Sequence, residues 1–151
     1  EIAIALNKLG VKTTLIAGPS RFSAPRGIIV KKITSAEEML NEVKKTLPVD
    51  IAVCAAAVTD FKVAEKSKQK IKKDKLDFKS INFIQSNDIL EFLSKNNQNR
   101  PRIVAGFSAE TENLIKNSTN KMKNKNCDLI FANDVSKKEW DLILTTIKFL
   151  L

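Results

Sequence analysis

Lysines crowd one part of this chain. Lys70, Lys72 and Lys73 close the run I-A-V-C-A-A-A-V-T-D-F-K-V-A-E-K-S-K-Q-K-I-K-K, residues 51–73. Ammonium groups packed this densely can neutralise an anion, a phosphate above all. The first half of the run, residues 51–58, is unbroken apolar and small. It reads as a parallel strand buried on both faces. Ala55, Ala56 and Ala57 are small enough to let a ligand reach the backbone, and Asp60 adds an acceptor. A buried strand that opens into a charged loop is where an open α/β sheet presents ligands. Against this stands a plainer alternative, since a charge run is more often a solvated face than a site.

Three further positions carry chemistry or its plain counterpart. Lys121 and Lys125 stand four apart on an expected helix, so they point the same way and can clamp a phosphate. A solvated face shared with Lys116 and Lys123 is the competing account. Phe107, at an expected strand end, can stack on a base, or can be one more core phenylalanine among eight. Cys54 lies among apolar residues with no basic neighbour in sequence, which favours an inert buried thiol over a nucleophile. Cys127 sits in a similar run. Two free thiols and no disulfide framework are the natural reading for a cytoplasmic protein. The chain has no histidine, which excludes a histidine base or metal ligand.

The elements that must position these residues follow from periodicity. With 151 residues and 43% hydrophobic content, the chain is expected to form one domain with a core. Its net charge of +9 permits anionic partners. No stretch is long enough to span a bilayer. Residues 1–9 read as a helix closed by Gly10, with no N-cap before Glu1, which suggests a natural beginning further upstream. Strands are expected at 11–17 and 28–33. A helix follows, capped by Thr34 or Ser35, with Met39, Leu40, Val43 and Leu47 on its inner face and Pro48 at its end. After the central strand come an edge strand at 76–83 and a helix capped by Ser86 or Asn87 running to Leu93. A strand at 102–108, a helix from Thr111 to about Asn126 and a strand at 127–132 complete the alternation. Residues 137–151 read as a last helix with Trp140, Ile143, Leu144, Ile147 and Leu151 on one face. Such alternation implies a mostly parallel sheet with helices on both faces. The strands ending at Asp60, at Gly106-Phe107 and at Asn133-Asp134 would then share one edge. No G-x-G-x-x-G fingerprint and no Walker loop occur, which weakens a generic dinucleotide reading.

Five segments together resemble the phosphopantothenoylcysteine synthetase family, usually the C-terminal half of a bifunctional decarboxylase–synthetase. They are A-A-A-V-T-D (55–60), K-I-K-K (70–73), S-N-D-I-L (86–90), G-F-S-A-E-T-E-N (106–113) and D-L-I-F-A-N-D-V-S (128–136). They stand in family order and at family-like spacing. The resemblance implies a Rossmann-like, three-layer α/β fold and a cytoplasmic ligase of coenzyme A biosynthesis. In that reaction the carboxylate of 4′-phosphopantothenate attacks the α-phosphate of CTP with Mg²⁺. An acyl-cytidylate forms, pyrophosphate leaves, and the amine of cysteine then displaces CMP. FMN would belong only to a fused decarboxylase upstream. By family position Lys70 is the catalytic lysine. Cys54, Ala55 and Ala56 would meet the nucleotide through backbone. Asp60, Lys70, Asn87, Asp88, Ile89, Leu90, Phe107, Lys121 and Lys125 fall where the family contacts CTP, and no metal-ligating residue is identified. A homodimer is implied, with one subunit's loop completing its partner's site, and neither nucleic acid nor membrane is an expected partner.

Two departures accompany the resemblance. The family's first strand and its N-x-S-S-G-x-x-G loop should precede the opening helix, and the strand pair usual after Ser136 is replaced by K-K-E-W. The single ligase domain, residues 1–151, is thus expected to be incomplete at both places. Two other classes of function compete. A basic nucleic-acid-binding module predicts affinity that falls steeply with salt, but 6% aromatic residues and no tyrosine offer little for base stacking. The other is an inactive synthetase fragment kept as an interaction partner.

Overall fold

The structure is a computed structural model that describes residues 1–20, 26–65, 81–95 and 98–136, and the backbone of 148–150. Its elements are α1 (Ile2–Lys8), β1 (Thr14–Ala17), β2 (Ile29–Lys32), α2 (Ala36–Thr46), β3 (Ile51–Cys54), β4 (Phe61–Val63), β5 (Phe83–Gln85), α3 (Ile89–Lys95), β6 (Ile103–Glu110), α4 (Leu114–Lys125), β7 (Leu129–Asp134) and β8 (Lys148–Leu150). β1 and β2 pair in parallel. β3, β6 and β7 form a parallel sheet in that order, and β8 adds an antiparallel edge beyond β7. β4 and β5 form a separate antiparallel ribbon. This is the mostly parallel α/β arrangement that the alternating pattern implied.

The helices take their places from capping and from an apolar stripe. Ser35 caps α2 by accepting from Glu38 N–H at 3.2 Å, and Glu37 and Glu38 occupy the first turn, where the helix dipole favours negative charge. Glu38 in turn accepts from Thr34 N–H at 2.6 Å, so the two ends of the cap satisfy each other. Gly10 follows α1 at φ 80°, a conformation that costs glycine little. Leu40 of α2, Ile89, Leu90 and Leu93 of α3, Val104 of β6, and Ile130 and Ala132 of β7 bury one cluster together with Cys127. Met122 and Leu114 of α4 pack against it, so α2, α3 and α4 cover the same face of the sheet. Each large apolar side chain fully buried there contributes about 1.5–3 kcal/mol.

The structure corrects several boundaries. The strand expected over residues 51–58 stops at Cys54, because the chain turns at once and Val58 N–H donates to Ala56 O at 3.1 Å. Nor is that strand buried on both faces, since Ile51 at its start is 43% exposed. The start of the lysine stretch is not loop: Phe61, Lys62 and Val63 form β4, paired with β5 at Phe83–Gln85. Of the edge strand expected at 76–83, residues 76–80 lie outside the described residues, and the observed strand is Phe83–Gln85. β6 runs on to Glu110, because its last residues keep pairing with β7 as far as Asp134. α4 begins at Leu114, after Asn113 at φ 51°, and not at Thr111.

The expected last helix fails where it can be seen. Residues 148–150 form β8, in register with Ala132, Phe131 and Ile130 of β7. A strand edge presents unpaired backbone groups, and pairing them outweighs the helical period of this segment. The rest of that helix, Trp140 included, lies outside the described residues, as do Lys70, Lys72 and Lys73.

Candidate functional site

The site forms where β3 stops and its neighbours continue. Cys54, the last residue of β3, is level with Gly106 of β6 and, through it, with Ile130 of β7. From Phe107 onward β6 has no β3 partner, and residues 55–57 turn away exposed. Beyond Gly106 the edge of β6 is therefore left unpaired by β3, and the chain carrying Ala55 and Ala56 leaves beside it. Gly106 and Phe107 are therefore not a strand end, as expected, but they do stand level with one.

The start of α3 is tied to the same turn. Asp88, rather than Ser86 or Asn87, caps this helix, its Oδ1 accepting from Glu91 N–H at 2.8 Å. Asn87 just before it is exposed. Ile89 and Leu90 are 7% and 9% exposed and point into the core, so they offer a ligand only backbone groups. Asp60 is exposed, and its carbonyl oxygen accepts from Ser86 N–H at 2.7 Å, which ties the end of the alanine turn to the approach of α3. This one bond brings Asp60 to the neighbourhood of Asn87 and Asp88.

α4 supplies two lysines from the third side. Lys121 Nζ donates to Phe107 O at 2.9 Å. Lys125 Nζ lies 3.0 Å from both Asp88 Oδ2 and Glu91 Oε2. The two ammonium groups are thus half-buried and engaged by protein oxygens, while Lys116 and Lys123 are exposed. The carboxylates, Asp88 first and Glu91 second, raise the Lys125 pKa above its ordinary value. Glu91 is held below the usual carboxylate range, first by Lys95 and then by Lys125.

Phe107 stacks on Phe131, their ring centroids 4.7 Å apart at 28°, which supports the core account of this residue on its ring face. The pair is in register across β6 and β7 and contributes about 0.5–1.5 kcal/mol beyond burial. Cys54 behaves as an inert thiol. Burial pushes it up to about 11, with the negative charge of Asp88 a smaller contribution. Both cysteines are free.

Two groups at this edge escape the sequence reading. Glu91 holds Lys125 and is readable only as an acid three residues after the capping Asp88. Glu110 at the end of β6 accepts from Ser108 Oγ at 2.6 Å and from Asn117 Nδ2 at 3.1 Å, which locks β6 to α4. Its signal is the alternation of Ser108 and Glu110 on one strand face. Among the described residues no three histidine, cysteine, aspartate or glutamate groups gather to hold a metal ion. A groove of about 640 Å³ opens between α2 and α3, lined by Leu40, Lys44, Asp88, Glu91, Phe92 and Lys95. Asn87 also lines it, so the groove includes two of the expected site residues, Asn87 and Asp88. No described helix is long and apolar enough to cross a membrane.

Comparison with known proteins gives this arrangement its relatives. A family profile described as the DNA/pantothenate metabolism flavoprotein C-terminal domain matches residues 1–148. The coenzyme A biosynthesis bifunctional protein CoaBC of Borreliella burgdorferi is 38% identical over 130 residues, 85% of this chain and 33% of the relative. The protein of the same name from Haemophilus influenzae is 39% identical over 136 residues, 89% of this chain and 34% of the relative. The chain thus spans about a third of the length of these relatives. Among solved structures, the C-terminal domain of a coenzyme A biosynthesis bifunctional protein CoaBC superposes with a TM-score of 0.73 at 28% identity, covering 88% of this chain and 61% of that one. Its fold is shared as well by the DNA/pantothenate metabolism flavoprotein from Streptococcus pneumoniae, with a TM-score of 0.69 at 15% identity. A match that runs from the first residue to 148, carried by a shared fold, means that the chain belongs to the DNA/pantothenate metabolism flavoprotein C-terminal domain family.

Proposed function

We propose that this chain is the ligase part of a coenzyme A biosynthesis enzyme, joining 4′-phosphopantothenate to cysteine with CTP. One observation carries the reading. Two ammonium groups of α4 are held beside the strand edge where β3 stops, Lys121 at Phe107 O and Lys125 at Asp88 and Glu91 at the start of α3. Small residues, backbone donors and cations around one strand edge suit a nucleoside triphosphate. The names of the relatives supply the pathway, and their greater length suits a ligase domain within a longer, cytoplasmic, bifunctional enzyme. FMN has no assigned residue in this chain.

Each residue then has a task. Cys54, Ala55 and Ala56 border the nucleotide with main-chain groups, and Asn87, Asp88, Ile89 and Leu90 meet the base through the backbone before and within the first turn of α3. Asp60 accepts from the nucleotide. Phe107 shapes the site. Lys121 and Lys125 bind phosphate oxygens. Lys70 approaches the α-phosphate as the phosphopantothenate carboxylate attacks it and stabilises the negative charge that builds there. Cysteine's amine then attacks the acyl carbon, and CMP leaves.

The test compares two lysines of one stretch in the full-length protein. Lys70→Gln is expected to keep near-normal CTP affinity and to lose at least about tenfold in acyl-cytidylate formation, roughly 1.4 kcal/mol of transition-state stabilisation. Lys68→Gln is expected to be nearly silent. Equal losses from both would reduce the stretch to a diffuse positive surface. In the same buffer CTP should raise the melting temperature more than ATP, and equal shifts with every triphosphate would remove CTP from the proposal.

A further inference from the structure

Glu91 has no part in the site just proposed, yet it holds one of that site's lysines. Lys125 reaches from the end of α4 to the start of α3, where Asp88 Oδ2 and Glu91 Oε2 each lie 3.0 Å from its Nζ. The other oxygen of Glu91 pairs with Lys95. The other oxygen of Asp88 caps α3. Lys95, Glu91, Lys125 and Asp88 therefore form a row of alternating sign that sums to zero.

We propose that Asp88 and Glu91 are counter-anions that a bound triphosphate must displace from Lys125, so that Glu91 sets how tightly nucleotide and pyrophosphate are held. The inference rests on the nucleotide reading above. An ammonium has three N–H donors, and two of them face carboxylates here. A phosphate brought to the third meets two like charges within a few ångströms, and like charges repel. Phosphate and carboxylate therefore compete for Lys125. The competition is even enough to be reversible: the Lys125 and Glu91 side chains are 28% and 36% exposed, and pairs this open are weak. When pyrophosphate leaves, Glu91 takes Lys125 back, which assists release. Glu91 is on this account a positioning residue that acts through Lys125.

The experiment is a double-mutant cycle by calorimetry on the full-length protein, at one ionic strength, with CTP and with pyrophosphate. The variants are Glu91→Gln, Lys125→Met and both together. Glu91→Gln is expected to tighten pyrophosphate binding about threefold, the size of one partly exposed ion pair. In the Lys125→Met background the same substitution should change affinity by much less. An equal gain in both backgrounds would mean a general charge effect and would overturn the inference. Weaker binding by Glu91→Gln would overturn it too, since a merely structural brace loosens the site when removed. Glu91→Gln leaves the Asp88 cap on α3 intact, and Glu91→Ala repeats the measurement without the amide. A wild-type protein that binds neither ligand would instead refute the nucleotide reading itself, a result separable from the others.

Discussion

Gly106→Ala tests whether β6 and α3 meet at contact distance beside the site. A Cβ at position 106 would lie 2.7 Å from Leu90 Cδ2, 3.3 Å from Leu90 Cδ1 and 3.2 Å from Ile130 Cδ1. Non-bonded carbons rest at about 3.5–4.0 Å, so Leu90 has to withdraw by roughly an ångström. It is 9% exposed and hemmed in by the cluster it belongs to. Overpacking of this kind costs about 1–3 kcal/mol. Alanine also restricts the unfolded chain, which returns about 0.4–1 kcal/mol because Gly106 does not adopt positive φ. The expected net loss is about 0.5–2 kcal/mol, read in urea as a lower midpoint with an unchanged slope. Leu90→Ala alone should cost about 2–5 kcal/mol through the void it leaves. In the double variant the new methyl fills part of that void, so the combined loss should fall short of the sum by at least about 1 kcal/mol. Strict additivity would refute the contact. Because Leu90 lies in the first turn of α3, Gly106→Ala should also weaken CTP binding several-fold while leaving the unfolding transition cooperative.

Three further outcomes are expected. Cys54, half-buried and pushed up to about 11, should react slowly with alkylating reagents in the folded protein at pH 8, and labelling there at the rate of a free thiol would contradict this. Its unfolded thiol ionises first, near the ordinary value of 9.0, so this group removes stability as pH rises from 9.0 towards 11 and contributes nothing below that window. Asp128 Oδ2 accepts from the N–H of Val104, a residue with no exposed surface, at 2.7 Å, and both its oxygens accept from Arg100 at 3.0 Å. Asp128→Ala strands that N–H and should cost about 1–3 kcal/mol in chemical denaturation, with no change in nucleotide affinity. We propose a homodimer that covers the β4–β5 ribbon, where Phe61 and Phe83 share a face and are 64% and 63% exposed. Phe61→Asp with Phe83→Asp should give a monomer by light scattering, and a monomeric wild type at micromolar concentration would remove the proposal.

Some of this could be read from residues alone. Ser35, two glutamates after it and Pro48 mark α2 at both ends, and the outcome differs by a residue or so. The apolar runs before Asp60 and Asn133 identify parallel strands, although β3, within the first of them, is only partly buried. What such runs do not carry is where a neighbour stops. Residues 55–58 are as apolar as 51–54, yet they turn away because nothing pairs with them. Phe61 and Val63 looked like loop because their partner, Phe83–Gln85, lies far along the chain, and a ribbon needs both halves. Residues 148–150 carry a helical period that pairing with β7 overrides. The proposed nucleotide site rests on motif, and motif does not contain the partners of its lysines. That Lys125 faces Asp88 and Glu91 depends on how α3 and α4 lie together, and no local pattern contains it.

The bond from Ser86 N–H to Asp60 O separates two kinds of evolutionary freedom. It closes the chain on itself at the rim of the site, so everything between those two residues is an excursion that leaves and returns at one point. Closure entropy grows only with the logarithm of loop length, and doubling an excursion costs about 0.6 kcal/mol. Insertions and deletions beyond the β4–β5 ribbon can therefore accumulate without displacing Asp60 or the start of α3. Grafting the segment between Asp60 and Ser86 from one family member to another should therefore transfer its properties while the rest of the chain keeps its shape.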